Sequence, residues 1–437
     1  MRILLGCIAD DFTGATDIAS FLVKSGMRTL QLIGVPCAPV DVSQVDALVI
    51  SLKTRTLPKA DAVEQSLNAL RWLAQHDCHQ YYFKYCSTFD STAEGNIGPV
   101  TDALLTHLDS NFTLLCPALP VNGRTVYQGH LFVGNQLLNE CGMQHHPLTP
   151  MTDANLCRWM AQQAQGSVGL VATPTLNQGV EATRAAFEQQ AKAHRYVVVD
   201  TLDESHLITL GAAASHLRLL TGGSGLAIGL AQSYAEQGLL TPSASAGDLS
   251  PVAGLTAVLS GSCSTMTQAQ VAHFKQQVPS LKLSPLALAS GEQTLASIMD
   301  WFNAHQQDIT QAQAFMIYAT DTPEAIAQVQ AQLGTQNASE KVEEMMAQCV
   351  TALWHADVHK FVVAGGETSG AAVKALAPHA LTVGHAIAPG VPLTETEVSL
   401  DGKTATTLLA LKSGNFGDEA FFSKATKLMN SSSRTLA

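Results

Sequence analysis

Two adjacent aspartates, Asp10 and Asp11, stand in the stretch Ala9-Asp10-Asp11-Phe12-Thr13-Gly14-Ala15-Thr16-Asp17, immediately after a short apolar run from Ile3 to Ile8. Neighbouring carboxylates repel, and a turn that needed only a helix cap would carry one acid. Either aspartate has the chemistry to take a proton from a substrate hydroxyl, hydrogen-bond a polyol, or hold Mg²⁺. The plain alternative is that one of them caps a helix starting near Gly14. A second polar concentration follows the run Tyr81 to Tyr85: Lys84, then Ser87, Thr88, Asp90, Ser91, Thr92, Glu94 and Asn96 before Gly98. One cation with this many hydroxyls suits a charged, hydroxylated small molecule, against the alternative of a Ser/Thr-rich turn capping a helix at Gly98. Arg124, at the end of Pro117-Ala118-Leu119-Pro120-Val121-Asn122-Gly123-Arg124, offers a planar fork for a carboxylate. Thr221-Gly222-Gly223-Ser224-Gly225, read as following a helix that ends near Leu220, either brings amides to an anion or links two helices.

The second half of the chain carries a different set of turns. Ser260-Gly261-Ser262-Cys263-Ser264-Thr265 follows Leu259, Gly365-Gly366-Glu367-Thr368-Ser369-Gly370 follows Val363, and Lys412-Ser413-Gly414-Asn415-Phe416-Gly417 follows Leu411. Small residues between a strand and a helix aim backbone N–H groups at phosphate oxygens. One such loop says little, whereas three in one half point to a nucleotide. Better-known signatures are missing: the sequence has no GxxxxGK[ST], no GxGxxG after its first strand, no HExxH and no GxSxG. His76 and His79 flank Asp77 and Cys78 and read as a surface turn, so no metal ligands are assigned.

Parallel strands must position these turns. Apolar runs of strand length at Ile3–Ile8, Thr29–Ile33, Ala47–Ile50, Tyr81–Tyr85, Thr113–Cys116, Val168–Val171 and Tyr196–Val199 alternate with helical stretches such as Ala15–Lys24. The rhythm resumes at Leu255–Leu259, Ala314–Tyr318, Lys360–Val363 and Thr406–Leu411. The fold class is therefore α/β: two α/β domains with mostly parallel sheets, the ligands lying at carboxyl ends of strands in a cleft between the domains. The expected boundaries are 1–236 for a first domain, 237–254 for a Pro-, Ser- and Gly-rich linker, 255–426 for a second domain and 427–437 for a tail. The Gln-rich stretch Gln311–Gln332 reads as exposed helix faces.

Bulk properties narrow the choice of ligand. With a formal net charge of −12 and no Lys/Arg run, the chain lacks the basic footprint that nucleic acid or an anionic membrane would require. Hydrophobic residues at 46% and charged residues at 14% describe a globular protein, and no apolar run approaches the ~20 residues of a membrane span. Nine scattered cysteines without a CxxC pair suit reduced thiols in a cytoplasmic protein. Leu4-Leu5-Gly6-Cys7 looks like a lipoprotein box, yet only six residues precede the cysteine.

At these loops the sequence resembles the four-carbon acid sugar kinases. The matching stretches, in order, are IADDFTGATD, KYCSTFDSTAEGNIG, PALPVNGRTVYQGHLFVG, TGGSGLA, SGSCS, AGGETSGA and LKSGNFG, which span the chain to about Phe422. The resemblance implies a sugar-acid-binding first domain, a nucleotide-binding second domain, and transfer of phosphate from ATP to the 4-hydroxyl of a tetronate. Many members read lysine, two residues, a single Ser-Thr, then Arg-Gly-Asn. Here both Ser87-Thr88 and Ser91-Thr92 occur and Glu94 stands in the arginine's place, which looks like the 3-oxo-tetronate kinase branch, with a threonate or erythronate 4-kinase as the alternative. On this reading Asp10 or Asp11 deprotonates the hydroxyl, and Arg55, Lys84, Ser87, Thr88, Glu94, Asn96 and Arg124 hold the acid. Ser260, Ser262, Ser264, Gly365, Gly366, Glu367, Thr368, Ser369 and Gly414 cradle ATP with Mg²⁺, and closure of the domains aligns the two. The expected partners are a small sugar acid and ATP, without nucleic acid or membrane, and a homodimer is compatible with the sequence. A sugar-acid sensor that uses nucleotide only to close is a competing reading, as is a nicotinamide-dependent oxidoreductase, which the missing dinucleotide fingerprint disfavours.

Overall fold

The computed structural model describes residues 2–145 and 149–431, and the chain divides into two compact units, Met1–Gly247 and Asp248–Ala437. The division falls within the segment 237–254. In the first unit the strands are β1 (Leu5–Ala9), β2 (Thr29–Ile33), β3 (Ala47–Ser51), β4 (Gln80–Lys84), β5 (Thr113–Cys116), β6 (Arg124–Tyr127), β7 (His130–Val133), β8 (Gln136–Leu137), β9 (Val168–Val171), β10 (Tyr196–Val199) and β11 (Leu219–Gly222). Its main sheet has the order β2-β3-β1-β4-β11-β5-β10-β9, with all neighbours parallel. Strands β6, β7 and β8 form a small antiparallel sheet of their own. The chain runs from β1 outward to β2 and β3 and then returns to lay β4 on the other side of β1. The crevice at the carboxyl ends of β1 and β4 is therefore a topological switch point.

The helix that leaves β1, Phe12–Lys24, forms where its sequence predicts. Asp11 accepts a hydrogen bond from the Gly14 amide at 2.9 Å as the N-cap, a contact worth about 0.5–2 kcal/mol. Ala15, Ile18, Ala19 and Leu22 recur at helical spacing and are fully buried, each large one contributing roughly 1.5–3 kcal/mol. Gly26, at φ +85°, follows the helix in a conformation that a side chain would strain.

The second unit contains β12 (Thr256–Ser260), β13 (Ser280–Lys282), β14 (Ala314–Tyr318), β15 (Lys360–Ala364), β16 (Ala380–Ala388), β17 (Val391–Leu400) and β18 (Lys403–Lys412). They are ordered β13-β14-β12-β15-β18-β17-β16. The first five are parallel, and β17 runs antiparallel to both β18 and β16. Here too the chain winds outward from β12 and then crosses back to put β15 on its far side. The core of this unit packs Val258, Val271, Phe274, Val362, Phe421 and Phe422 together.

Three expectations need correction. Thr221–Gly225 leaves a strand and not a helix: Thr221 and Gly222 end β11, which pairs with β4 and β5, and the preceding helix, Glu204–Ala213, ends well upstream. The stretch 311–332 is interrupted by β14, whose apolar residues are buried between β12 and β13, so only its flanks are helical. The last helix, Phe421–Asn430, carries residues 427–430, since Leu428 and Met429 are buried in the core. Residues 432–437 lie outside the described residues.

Candidate active site

In the first unit, charged side chains collect at the switch point. Asp10 continues β1, and its amide donates to the Lys84 carbonyl at the end of β4 at 3.0 Å. Its carboxylate takes two hydrogen bonds from Arg55, at 3.0 and 2.9 Å, a bidentate pair that is almost wholly buried on the aspartate side. The same guanidinium lies 2.8 Å from Asp11 Oδ1 and 3.7 Å from Asp90. Burial raises the Asp10 carboxyl, with Arg55 opposing, and the two aspartates in turn hold Arg55 well above its ordinary value despite its own burial. Arg55 is thus held by this chain's own acids, a different placement from the carboxylate holder expected from the sequence. Asp11 is only partly buried; its Oδ1 serves Gly14 and Arg55, and among the described residues its Oδ2 has no hydrogen-bond partner.

Lys84 ends β4 at 2% exposure, and its Nζ donates to the Tyr85 carbonyl at 2.7 Å. Gly14 is what lets it sit there: a Cβ at that position would come to 2.3 Å from Asp11 Oδ1 and 3.0 Å from Lys84 Nζ. Arg124 Nη1 donates to the Asn122 carbonyl, while its Nε is buried without a partner. Thr88 donates to Asp90 at 2.5 Å, drawing the Ser87–Asp90 turn toward the Arg55 cluster, and Phe89 adopts φ +55° within that turn. The Asn96 amide ties down the backbone on either side of Arg55, donating to Thr54 and Leu57 carbonyls at 2.8 and 2.9 Å. It therefore acts on the arginine's loop rather than presenting its donors to a ligand. Glu94 is exposed.

The Thr221–Gly225 turn packs backbone to backbone. A Cβ on Gly222, Gly223 or Gly225 would approach the Cys116, Pro117 or Ala118 carbonyl to 2.2, 2.4 and 2.5 Å respectively. This close approach sets Ser224 Oγ against Asp17, to which it donates. Asp17, Ser224 and Asp90 were not singled out from the sequence; Asp17 lies three residues past Gly14 on the same helix face.

In the second unit the three small-residue loops meet. A Cβ on Gly261 would fall 2.1 Å from Thr368 Oγ1, one on Gly365 would fall 3.2 Å from the Ser262 amide, and one on Gly414 would fall 2.8 Å from Ser262 Oγ. Gly365 itself sits at φ +120°, so a side chain there would be strained as well as crowded. Ser264 caps the helix Thr265–Phe274, and Gly365 precedes the helix Gly366–Leu376 without supplying a side-chain cap, leaving that N-terminus open to an anion. Ser369 Oγ is buried near this turn without a partner. Ser260 is turned inward, sharing a 2.8 Å hydrogen bond with Thr320, so its hydroxyl supports the loop from behind.

Beneath the Gly414 loop lies Lys412, 1% exposed, whose Nζ donates to Thr267 Oγ1, Ser413 and Gly414 carbonyls at 3.0, 3.2 and 2.8 Å. Burial lowers its pKa to about 8. Sequence reasoning placed Lys412 in the loop but gave it no role, since a lysine at a strand end reads as exposed. A cavity of about 180 Å³ adjoins the cradle, running from Gly261 and Thr368 to Ile326, Val329, Ala338 and Val342, with Asp321 and Glu343 in its wall. The end beside the cradle is lined by Gly261, Cys263, Glu367 and Thr368, and the far end is mostly apolar, a layout suited to a nucleotide's base and ribose.

Known proteins give this arrangement a class. Residues 5–230 match the sugar-binding N-terminal domain model and residues 257–422 the nucleotide-binding C-terminal domain model. The chain belongs to the four-carbon acid sugar kinase family, in its 3-oxo-tetronate kinase branch. It is similar to the 3-oxo-tetronate kinase of Pectobacterium atrosepticum, 51% identical with 97% of this chain and 99% of that one covered. It is likewise 49% identical to the 3-oxo-tetronate kinase of Cupriavidus necator, covering 97% and 96% of the two chains. Crystal structures from Salmonella typhimurium (TM-score 0.89, 49% identity, 97% and 98% covered) and Haemophilus influenzae (TM-score 0.84, 46% identity, 97% and 100% covered) share the fold.

Proposed function

We propose that the protein is an ATP-dependent kinase that phosphorylates the 4-hydroxyl of 3-oxo-tetronate. The observation that carries the reading is the near-full-length identity, about 50%, to proteins named 3-oxo-tetronate kinase. The two loop clusters agree with it chemically. Lys84 and Arg124 supply positive charge for the carboxylate of the acid, beside the carboxylates of Asp11 and Asp17. Asp11, with Oδ2 uncommitted, takes the proton of the 4-hydroxyl as its oxygen bonds to the γ-phosphorus and ADP departs with the electrons of the broken P–O bond. Asp10 has both oxygens on Arg55 and serves as the anchor that orients the guanidinium and, through it, Asp11.

Ser262, Ser264, Gly365 to Ser369 and Gly414 receive the phosphates, and the adjoining cavity receives the base. The donor set suits Mg²⁺ as an ion carried in on the phosphates, with Glu367 the carboxylate nearest the cradle; among the described residues no three ligating side chains cluster. Bound there, the ion would neutralise charge on the phosphoryl oxygens. Transfer needs the 4-hydroxyl oxygen and the γ-phosphorus to meet in line. The nine cysteines are free thiols and no helix among the described residues is long and apolar enough to cross a membrane, which supports a cytoplasmic setting. The product decides the regiochemistry: phosphorus NMR of the reaction should show a phosphomonoester coupled to the C4 methylene protons, and a phosphate on any other carbon would overturn the assignment.

A further inference from the structure

We infer that Asp17 reads the C2 hydroxyl of the sugar acid and that Ser224 holds it in position, an inference that rests on the kinase reading above. Asp17 Oδ2 accepts from Ser224 Oγ, but Oδ1 is buried without a hydrogen-bond partner among the described residues. Elsewhere in the same unit a buried carboxylate with a structural role is fully served. Asp200 accepts from the Gln128, Gly129 and Thr173 amides and from Thr173 Oγ1 at 2.9–3.1 Å. Leaving a carboxylate oxygen unserved in the interior is costly, and such an atom is normally explained by a ligand, a water or a catalytic task.

The surroundings say which ligand. Lys84 and Arg124 both act electrostatically on Asp17, and Arg124 Nε is the complementary case, a buried donor without an acceptor. Lys84 Nζ lies against Gly14, one helical turn before Asp17 and on the same face. Burial raises the Asp17 carboxyl, while Lys84 and the Ser224 hydrogen bond favour its charged form. A 2-hydroxy acid carries a carboxylate and a hydroxyl on adjacent carbons, so it can give acceptors to the two cations and a donor to Oδ1 together. The favoured substrate has hydroxyls only at C2 and C4, since its C3 is a carbonyl with no proton to give. Asp11 and Asp17 are six residues apart, a helix rise of about 9 Å, and the proposed mechanism already gives the reacting C4 hydroxyl to Asp11. That leaves C2 for Asp17.

The test compares 3-oxo-tetronate with its 2-deoxy analogue, 4-hydroxy-3-oxobutanoate, by ADP release. The wild type should favour the 2-hydroxy acid by about tenfold or more in kcat/KM, as loss of a hydrogen bond to a charged group implies. In Asp17→Ala the preference should shrink toward unity, with Asp17→Asn intermediate and Ser224→Ala causing a smaller drop, each variant checked for folding by thermal unfolding. Equal kcat/KM for both acids in the wild type would overturn this inference alone and needs no variant. A folded Asp17→Ala enzyme that keeps the full preference would do the same. No ADP from either acid in the wild type would overturn the kinase reading and this inference with it.

Discussion

The two units wind their sheets alike and furnish the switch point with opposite chemistry. In each, the first strand sends the chain to the sheet's edge before a crossover sets a new strand on its other side, giving β2-β3-β1-β4 and β13-β14-β12-β15. The candidate ligand-binding turns then follow the central pair, β1 and β4 or β12 and β15, together with the turns after β3 and β18. In the first unit those turns hold charged side chains, Asp10, Asp11, Arg55, Lys84 and Asp17, that bond to one another or wait for a partner. In the second they hold glycines and serines, and a buried cation, Lys412, serves the backbone of the loop from below. The difference is the one the proposed ligands would require. A small acid must be recognised atom by atom, whereas a polyphosphate with charge on every oxygen is held by a shell of N–H and O–H groups that leaves room for it.

This contrast can be broken at either end. The largest effect is expected at Asp11: Asp11→Asn should lower kcat by about 10²–10⁴-fold in a folded protein, as loss of a general base does. Asp10→Asn should instead act mainly on folding, costing about 3–5 kcal/mol in unfolding experiments because Arg55 loses its bidentate partner. Near-normal turnover in both variants would remove the aspartates from the chemistry. Next, Lys84→Ala should reduce kcat/KM for the sugar acid at least about tenfold, by loss of roughly 1.5–3 kcal/mol, while KM for ATP hardly moves. The mirror image is Gly414→Ala, whose Cβ would press on Ser262 and Ser264. It should raise KM for ATP several-fold, roughly 1 kcal/mol of lost binding, and spare KM for the acid. If either variant shifts both KM values equally, the division of labour between the units is wrong.

A pH dependence tests the buried cation of the second cradle. Lys412 is buried with a pKa lowered to about 8 from 10.5, so between those values the unfolded chain binds more protons than the folded one, and the lysine's contribution to stability rises with pH. The unfolding free energy of the wild type minus that of Lys412→Met should therefore climb from pH 8 to 10.5 and level off outside that window. A flat difference would mean that the ammonium is better solvated than its burial implies.

Much of this was legible in the residues. The strands after which the site turns hang are continuous apolar runs, and the turns themselves break that pattern with acids, hydroxyls or glycines, so Asp10, Lys84, Gly365 and Gly414 announce themselves. What the sequence hid depends on distant partners. Asp17 sits in the interior of a helix, where a polar residue reads as solvent-facing, and the hydroxyl that holds it, Ser224, comes more than two hundred residues later. Arg55 carries no local sign that three aspartates will claim it. Strand β17, VPLTETEVSL, carries four consecutive polar residues, Thr394 to Glu397, where an apolar run would mark a strand, and only its antiparallel partners make a strand of it.

The central claim is that Asp11, Lys84 and the second unit's cradle together make a kinase for an oxidised four-carbon acid. Substrate-dependent ADP release from the purified protein, measured with 3-oxo-tetronate, threonate and erythronate in parallel, addresses it directly. The account predicts release with the 3-oxo acid at a kcat/KM well above that of the other two, and release with threonate or erythronate exceeding it, or none at all, would contradict it.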